Sequence, residues 1–143
     1  MISKKAFEHY QQGQAFEEKK HYEKALSAYE QAIHLDPDTA SFHIACGRML
    51  ALLGLYGEAE RAFTRATQID ATQADAYGGC AHALHQLQQY EQAVKMYRQA
   101  AQLNPNDADL YNGLGITLCK LERFSEAIGA FRIAIRLRSD CPP

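Results

Sequence analysis

Two histidines, His82 and His85, stand three positions apart, a spacing that puts both rings on one face of a helix. Paired imidazoles are half of a metal site, and Cys119, well beyond them in the chain, could add a third ligand. No further cysteine or carboxylate is placed to complete the set. The pair therefore reads as hydrogen-bonding groups on a polar surface, and no metal or other cofactor is expected. His9 and His43 fall where a large packing residue recurs and read as packing histidines. There is no glycine-rich phosphate loop, no nucleophile elbow and no HExxH pattern. The chain is therefore expected not to be an enzyme. Glu23, Lys24, Glu58, Arg61 and Arg98 are spread as a solvated face would require.

Composition narrows the partner. The 143 residues are 47% apolar and 22% charged, with a formal net charge of −2, which gives no motive for binding nucleic acid or an anionic membrane. The N-terminus has basic residues but no apolar run behind them, so it does not read as a signal peptide. No stretch approaches the length of a membrane span, so no membrane insertion is expected. Cys46, Cys80, Cys119 and Cys141 form no CxxC pair. Cys46 and Cys80 recur with the same spacing as the chain's internal repeat and read as buried thiols of a reducing compartment, the cytoplasm. A disulfide framework is the minor reading.

The elements that position these residues recur. The stretch Tyr22 to Ile33 returns from Tyr56 to Thr67, from Tyr90 to Ala101 and from Phe124 to Ile135. Its first alanine falls at Ala25, Ala59, Ala93 and Ala127, at one constant spacing. Cys119 stands at that same spacing from His85 and is its counterpart in the next repeat. A period held three times without insertion means a stacked solenoid in a single domain. The repeats are expected at about 6–39, 40–73, 74–107 and 108–141.

Each period carries two helical patterns, giving about eight helices and an all-α fold. Lys19-Lys20-His21, Leu52 to Leu55, Gln88-Gln89 and Glu122-Arg123 supply the turns inside the repeats. Pro37 and Pro105 close the first and third repeats. Ala71 and Ser139 stand where a second and fourth proline would. The last helix is expected to end near Leu137, ahead of a ragged tail. On each second helix two alanines seven apart flank an aromatic: Tyr29, Phe63, Tyr97 or Phe131. Small residues around a large one let the two helices of a repeat approach closely.

These residues resemble the tetratricopeptide repeat, a helix–turn–helix unit of about 34 residues. The family's small first-helix residue is met by Gly13, Gly47 and Gly115, with Ala81 as a variant. Its large residue four earlier is met by His9, His43, Tyr77 and Tyr111, and the one three later by Phe16, Leu50, Leu84 and Leu118. The resemblance implies a right-handed superhelix whose concave face is lined by the first helices. It also implies that this face holds a peptide or helix of another protein.

Placing first-helix residues by the helical period gives a candidate groove. It comprises Phe7, Tyr10, Gln14, Ile44, Arg48, Gly78, Gly79, His82, His85, Gln86, Asn112, Gly113 and Ile116. Gln14, His82, Gln86 and Asn112 could hydrogen-bond an extended chain, and Tyr10 and Ile44 could give apolar contact. Gly78, Gly79 and Gly113 either make room for a ligand or ease helix packing. The family's chaperone-binding branch grips a carboxylate with Lys, Asn and Arg, whereas the matching positions here are Tyr10, Gln14, Ala45, Asp75 and Gly79. That argues against binding the C-terminal tails of Hsp70 or Hsp90.

The expected function is thus a protein-interaction module, an adaptor or chaperone holding a segment of a partner protein. The alternative is a self-assembling scaffold. Ile128, Ile133 and Ile135 leave an apolar edge on the last helix with no helix after it, the mark of a possible homo-oligomer or of a piece of a longer chain.

Overall fold

The computed structural model describes residues 2–139. These form eight α-helices in four hairpins. The helices are α1 (Lys4–Glu18), α2 (Tyr22–Leu35), α3 (Ala40–Leu52), α4 (Tyr56–Ile69), α5 (Ala74–Gln86), α6 (Tyr90–Leu103), α7 (Ala108–Lys120) and α8 (Phe124–Ser139). No strand occurs among the described residues. The last helix runs to Ser139, slightly beyond the expected end, and the expected tail and Cys141 lie outside the described residues. The helices fall into two compact units, one up to Ala71 and the other from Thr72.

The turn inside each repeat is one device used four times. Lys20, Gly54, Gln88 and Glu122 have φ of 62°, 80°, 63° and 58°, the left-handed region. Beyond each, a backbone N–H reaches back over the helix end: His21 to the Phe16 carbonyl at 2.9 Å, Leu55 to Leu50 at 2.8 Å, Gln89 to Leu84 at 2.9 Å, and Arg123 to Leu118 at 2.9 Å. This closure satisfies carbonyls the helix leaves without partners and reverses the chain. Between repeats the caps are less uniform. Ser3 Oγ accepts from Ala6 N at 3.0 Å and Asp107 Oδ1 from Asp109 N at 3.0 Å. His43 Nε2 contacts the Pro37 carbonyl at 2.7 Å, so this half-buried histidine ties the closing loop of the first repeat to α3.

Packing within the hairpins follows the small–large–small pattern. All eight recurring alanines of the second helices are buried, none more than 4% exposed. A methyl placed on Gly13 would lie 2.5 Å from Tyr29, on Gly47 2.9 Å from Phe63, and on Gly115 2.7 Å from Phe131. Each of these glycines is therefore the seat of the aromatic on its own hairpin partner. The third repeat departs from this. Its small position is Ala81, fully buried, and the Tyr97 ring lies instead over Gly113 of the next helix, where an added methyl would sit 2.7 Å away.

This packing corrects several sequence expectations. Gly113 leaves room for Tyr97, and Gly78 faces a Leu110 methyl 3.0 Å from where its own Cβ would be. Both glycines thus have a packing neighbour rather than open space. Ile44 is 7% exposed, a core residue and not an available apolar contact. Tyr10 packs into an aromatic cluster with Tyr29 and Phe42, ring centroids 5.6 and 5.1 Å away, beside buried Ala6 and Ala32. Phe7 stacks on the outer side of Tyr10 at 6.4 Å and stays exposed.

Candidate functional site

In the first unit a depression of about 260 Å³ is lined by Gln14, Glu17, Glu18 and Arg48. Glu17 Oε1 accepts from the Tyr29 hydroxyl at 2.7 Å and from Arg48 Nη2 at 2.8 Å. Burial of the phenol, together with its bond to the Glu17 carboxylate, pushes the Tyr29 pKa up. Arg48 is thus committed to a carboxylate of its own chain. A second depression of about 370 Å³ lies at the α1–α2 turn between Lys20 and Lys24, beside Leu53, and holds none of the expected site residues.

The second unit brings more of the expected residues together. His82, His85 and Gln86 from α5 and Asn112, Gly113 and Ile116 from α7 surround one depression of about 350 Å³. Helical geometry explains the grouping: 82, 85 and 86, like 112, 113 and 116, lie within one turn of a common face. Tyr97 and Asp109 complete the lining. Sequence reasoning placed neither there. Tyr97 was legible only as a packing aromatic, and it reaches the depression because Gly113 admits its ring. Asp109 stands one turn before Asn112 on α7, a spacing that could have signalled it.

The hydrogen bonding of this depression is specific. His85 Nδ1 lies 2.9 Å from Thr117 Oγ1, and Thr117 Oγ1 donates to the Gly113 carbonyl at 2.8 Å. Thr117 is fully buried. The Tyr90 ring meets His85 edge-on at 5.2 Å. Partial burial, then His82 and Lys120 nearby, lower the His85 pKa from its ordinary 6.5, so the ring is neutral near pH 7. Burial pushes the Tyr97 hydroxyl up to about 12. Asp109 Oδ1 accepts from Arg138 Nη2 at 2.6 Å, which offsets its charge. The side-chain amides of Gln86 and Asn112 have no hydrogen-bond partner among the described residues.

Profiles of the tetratricopeptide repeat match residues 10–74, and those of the TPR repeat match residues 81–121. Together they take in most of the chain, from within α1 to the end of α7. The chain belongs to the tetratricopeptide-repeat family. Among solved structures it is similar to MamA from Desulfovibrio magneticus RS-1, with 20% identity and a TM-score of 0.88, covering 95% of this chain and 78% of that one. It is also similar to the first tetratricopeptide domain of Spaghetti (RPAP3) bound to an HSP90 peptide, with 23% identity and a TM-score of 0.78, covering 89% and 95%. The Arabidopsis OM64 domain gives 24% identity and a TM-score of 0.74, covering 83% and 95%. At these identities the likeness is one of fold, the α-solenoid of helix–turn–helix repeats. No curated protein sequence matches this tetratricopeptide-repeat chain.

Other residues of interest in this family member stand apart from the two depressions. Gly79 is half-buried on α5. Cys119 is exposed, while Cys46 and Cys80 are buried, and none of the three is in a disulfide. Burial pushes the Cys46 thiol up to about 12, which makes it inert. Among the described residues, no group of three or more His, Cys, Asp or Glu side chains could hold a metal ion. No described helix is long and apolar enough to cross a membrane. On α8, Phe124, Ile128 and Ile135 are 56%, 51% and 65% exposed, and Ile133 is half-buried.

Proposed function

We propose that this chain is a non-catalytic interaction module, an adaptor or chaperone of the cytoplasm, whose four repeats act as one domain and hold a segment of a partner protein along their first helices. The observation that carries this reading is the α5–α7 depression, where unpartnered amides of Gln86 and Asn112 and the His85 ring surround the exposed apolar Ile116. A concave site with a few convergent polar groups on rigid helices is how protein ligands are oriented. Gln14 and Arg48 would contribute from the first unit, although Arg48 already serves Glu17. With Arg48 committed to Glu17, it is not free to pair with a carboxylate tail such as that of Hsp70 or Hsp90, which is therefore disfavoured.

The reading is tested by affinity capture from the native lysate with three baits. These are the wild type, Gln86→Ala with Asn112→Ala, and a control with Lys95→Ala and Gln99→Ala on exposed positions of α6. A protein held by wild type and control but lost from the first variant supports it. Equal capture by all three overturns it.

A second reading is self-assembly through α8. Phe124, Ile128 and Ile135 occupy the positions in the last repeat that Tyr90, Val94 and Ala101 of α6 hold in the third. Val94 and Ala101 are buried, at 3% and 8% exposure, and Val94 packs with Leu110, Leu114 and Leu118 of α7. The same helix face is therefore covered on α6 and open on α8.

A further inference from the structure

The α5–α7 depression holds a histidine whose tautomer is fixed by the fold. A threonine hydroxyl has one proton to give. That of Thr117 goes to the Gly113 carbonyl, 2.8 Å away and one helical turn back. The 2.9 Å contact between Thr117 Oγ1 and His85 Nδ1 then needs its proton from the ring. In the neutral imidazole the Nδ1–H donates to Thr117, and Nε2 is left with a lone pair and no proton. Among the described residues Nε2 has no hydrogen-bond partner. The ring lines the depression, so it presents an acceptor there.

The rest of the lining determines what such an acceptor can read. Asn112 and Gln86 each offer a free amide with both a donor and an acceptor. Ile116 and the Tyr97 ring give apolar walls. The one lining carboxylate, Asp109, is paired with Arg138. With Asp109 paired and the His85 ring neutral, neither offers a counter-ion, so a charged ligand group beside them would lose water without compensation. A group that both donates and accepts, without charge, matches all of these.

We propose that the α5–α7 depression is a recognition pocket for a carboxamide side chain, glutamine or asparagine, of the bound partner segment. The ligand NH₂ donates to His85 Nε2, its carbonyl accepts from the Asn112 amide, and its methylenes lie on Ile116 and Tyr97. This deepens the interaction-module reading and rests on it. Glutamate is the informative competitor. It has the shape of glutamine but sets an acceptor against the Nε2 lone pair, and an unmade hydrogen bond is the strongest basis for rejecting an isostere.

Acid reverses the preference. Once protonated, Nε2 becomes a donor on a cation, and the pocket then favours the carboxylate. The groups that face His85 are His82 on the same helix, Tyr90 and Tyr97 on α6, and Thr117, Asp109 and Lys120 on α7. The reversal is followed on the His85 ring itself, which separates it from any change at His82.

The test is an NMR titration of the full chain with three probes: N-acetyl-glutamine N-methylamide, its glutamate counterpart, and N-acetyl-glycine N-methylamide. The His85 imidazole signals are followed at pH 7.5 and pH 5. The expected result is an affinity for the glutamine probe about tenfold above that for glutamate at pH 7.5, with the order inverting on acidification once the His85 signals report the protonated ring. His85→Phe abolishes both effects. Thr117→Val frees the tautomer, and the glutamine preference falls while binding through apolar contacts persists. Equal response to the glycine probe means that the pocket reads backbone amides, and overturns the proposal. So does a glutamate preference at pH 7.5, or no response to any probe. Loss of the proposal in this way leaves the capture experiment standing, because that measures partner binding and not side-chain choice.

Discussion

At the scale of single residues, the third repeat shows how one methyl group propagates. Three repeats have glycine beneath the second-helix aromatic, but the third has Ala81. Tyr97 then lies over Gly113, and that displacement carries its hydroxyl to the α5–α7 depression. Gly113→Ala is expected to lower stability by about 1–2 kcal/mol, since overpacking outweighs the helix-propensity gain of alanine. Adding Ala81→Gly should recover part of the loss by reopening the usual seat of the ring. A double-mutant cycle by urea denaturation measures this coupling, and strictly additive losses would contradict it. His85 gives a pH dependence of its own. Its folded-state pKa lies below 6.5, mainly through burial, so the unfolded chain takes up the proton first. Stability from this group is whole above pH 6.5 and is lost as the pH falls through that value toward the lowered folded pKa. His85→Phe should therefore flatten the urea midpoint between pH 7.5 and pH 5, and an unchanged slope would count against the burial of the neutral ring.

At the scale of elements, the turns matter more than their composition suggests. The same left-handed residue closes the first helix of every repeat, yet only Gly54 is a glycine. A methyl on Gly54 would meet nothing within 4 Å, so Gly54→Ala tests backbone conformation free of crowding. It is expected to cost about 1 kcal/mol. Gln88→Gly, at the matching turn of the third repeat, should be neutral or gain up to about 1 kcal/mol. Thermal unfolding of the two variants checks both signs, and a stable Gly54→Ala would show that the turn is not under this constraint. Between α6 and α8, Glu126 accepts from Arg98 at 2.9 Å and from Arg123 at 2.6 Å. The two guanidinium groups, Arg123 foremost, hold its pKa down to about 2. All three side chains reach solvent, so this pairing steers the helices more than it stabilises them.

At the scale of the whole molecule, the open face of α8 has the widest consequence. Repeat arrays are stabilised by the interface each unit makes with its neighbour, and an exposed apolar helix face such as this one favours a contact. If a second copy covers Ile128 and Ile135, sedimentation will show a concentration-dependent dimer. Ile128→Glu with Ile135→Glu will then give a monomer with no loss of helix content. A wild type that stays monomeric at millimolar concentration would remove the self-assembly reading and leave the first-helix face as the interaction surface.

The sequence by itself determined the repeat, its length, the helix–turn–helix unit and the alanine–aromatic face that each second helix buries. These follow from the long period of the repeat and the short period of the helix, and both are local properties of the chain. They also placed His82, His85, Gln86, Asn112 and Ile116 on compatible faces, because side chains one turn apart share a side whatever else the helix does. Tertiary structure alone decided which of the candidates were consumed by packing. Ile44 and Tyr10 could be assigned to core or surface only once the neighbouring helix was in place. The glycine at 113 could not be told from a ligand seat until the Tyr97 ring was found upon it. The proton on His85 was decided by a hydroxyl on a different helix of the next repeat, and no spacing rule within one helix could reveal that bond.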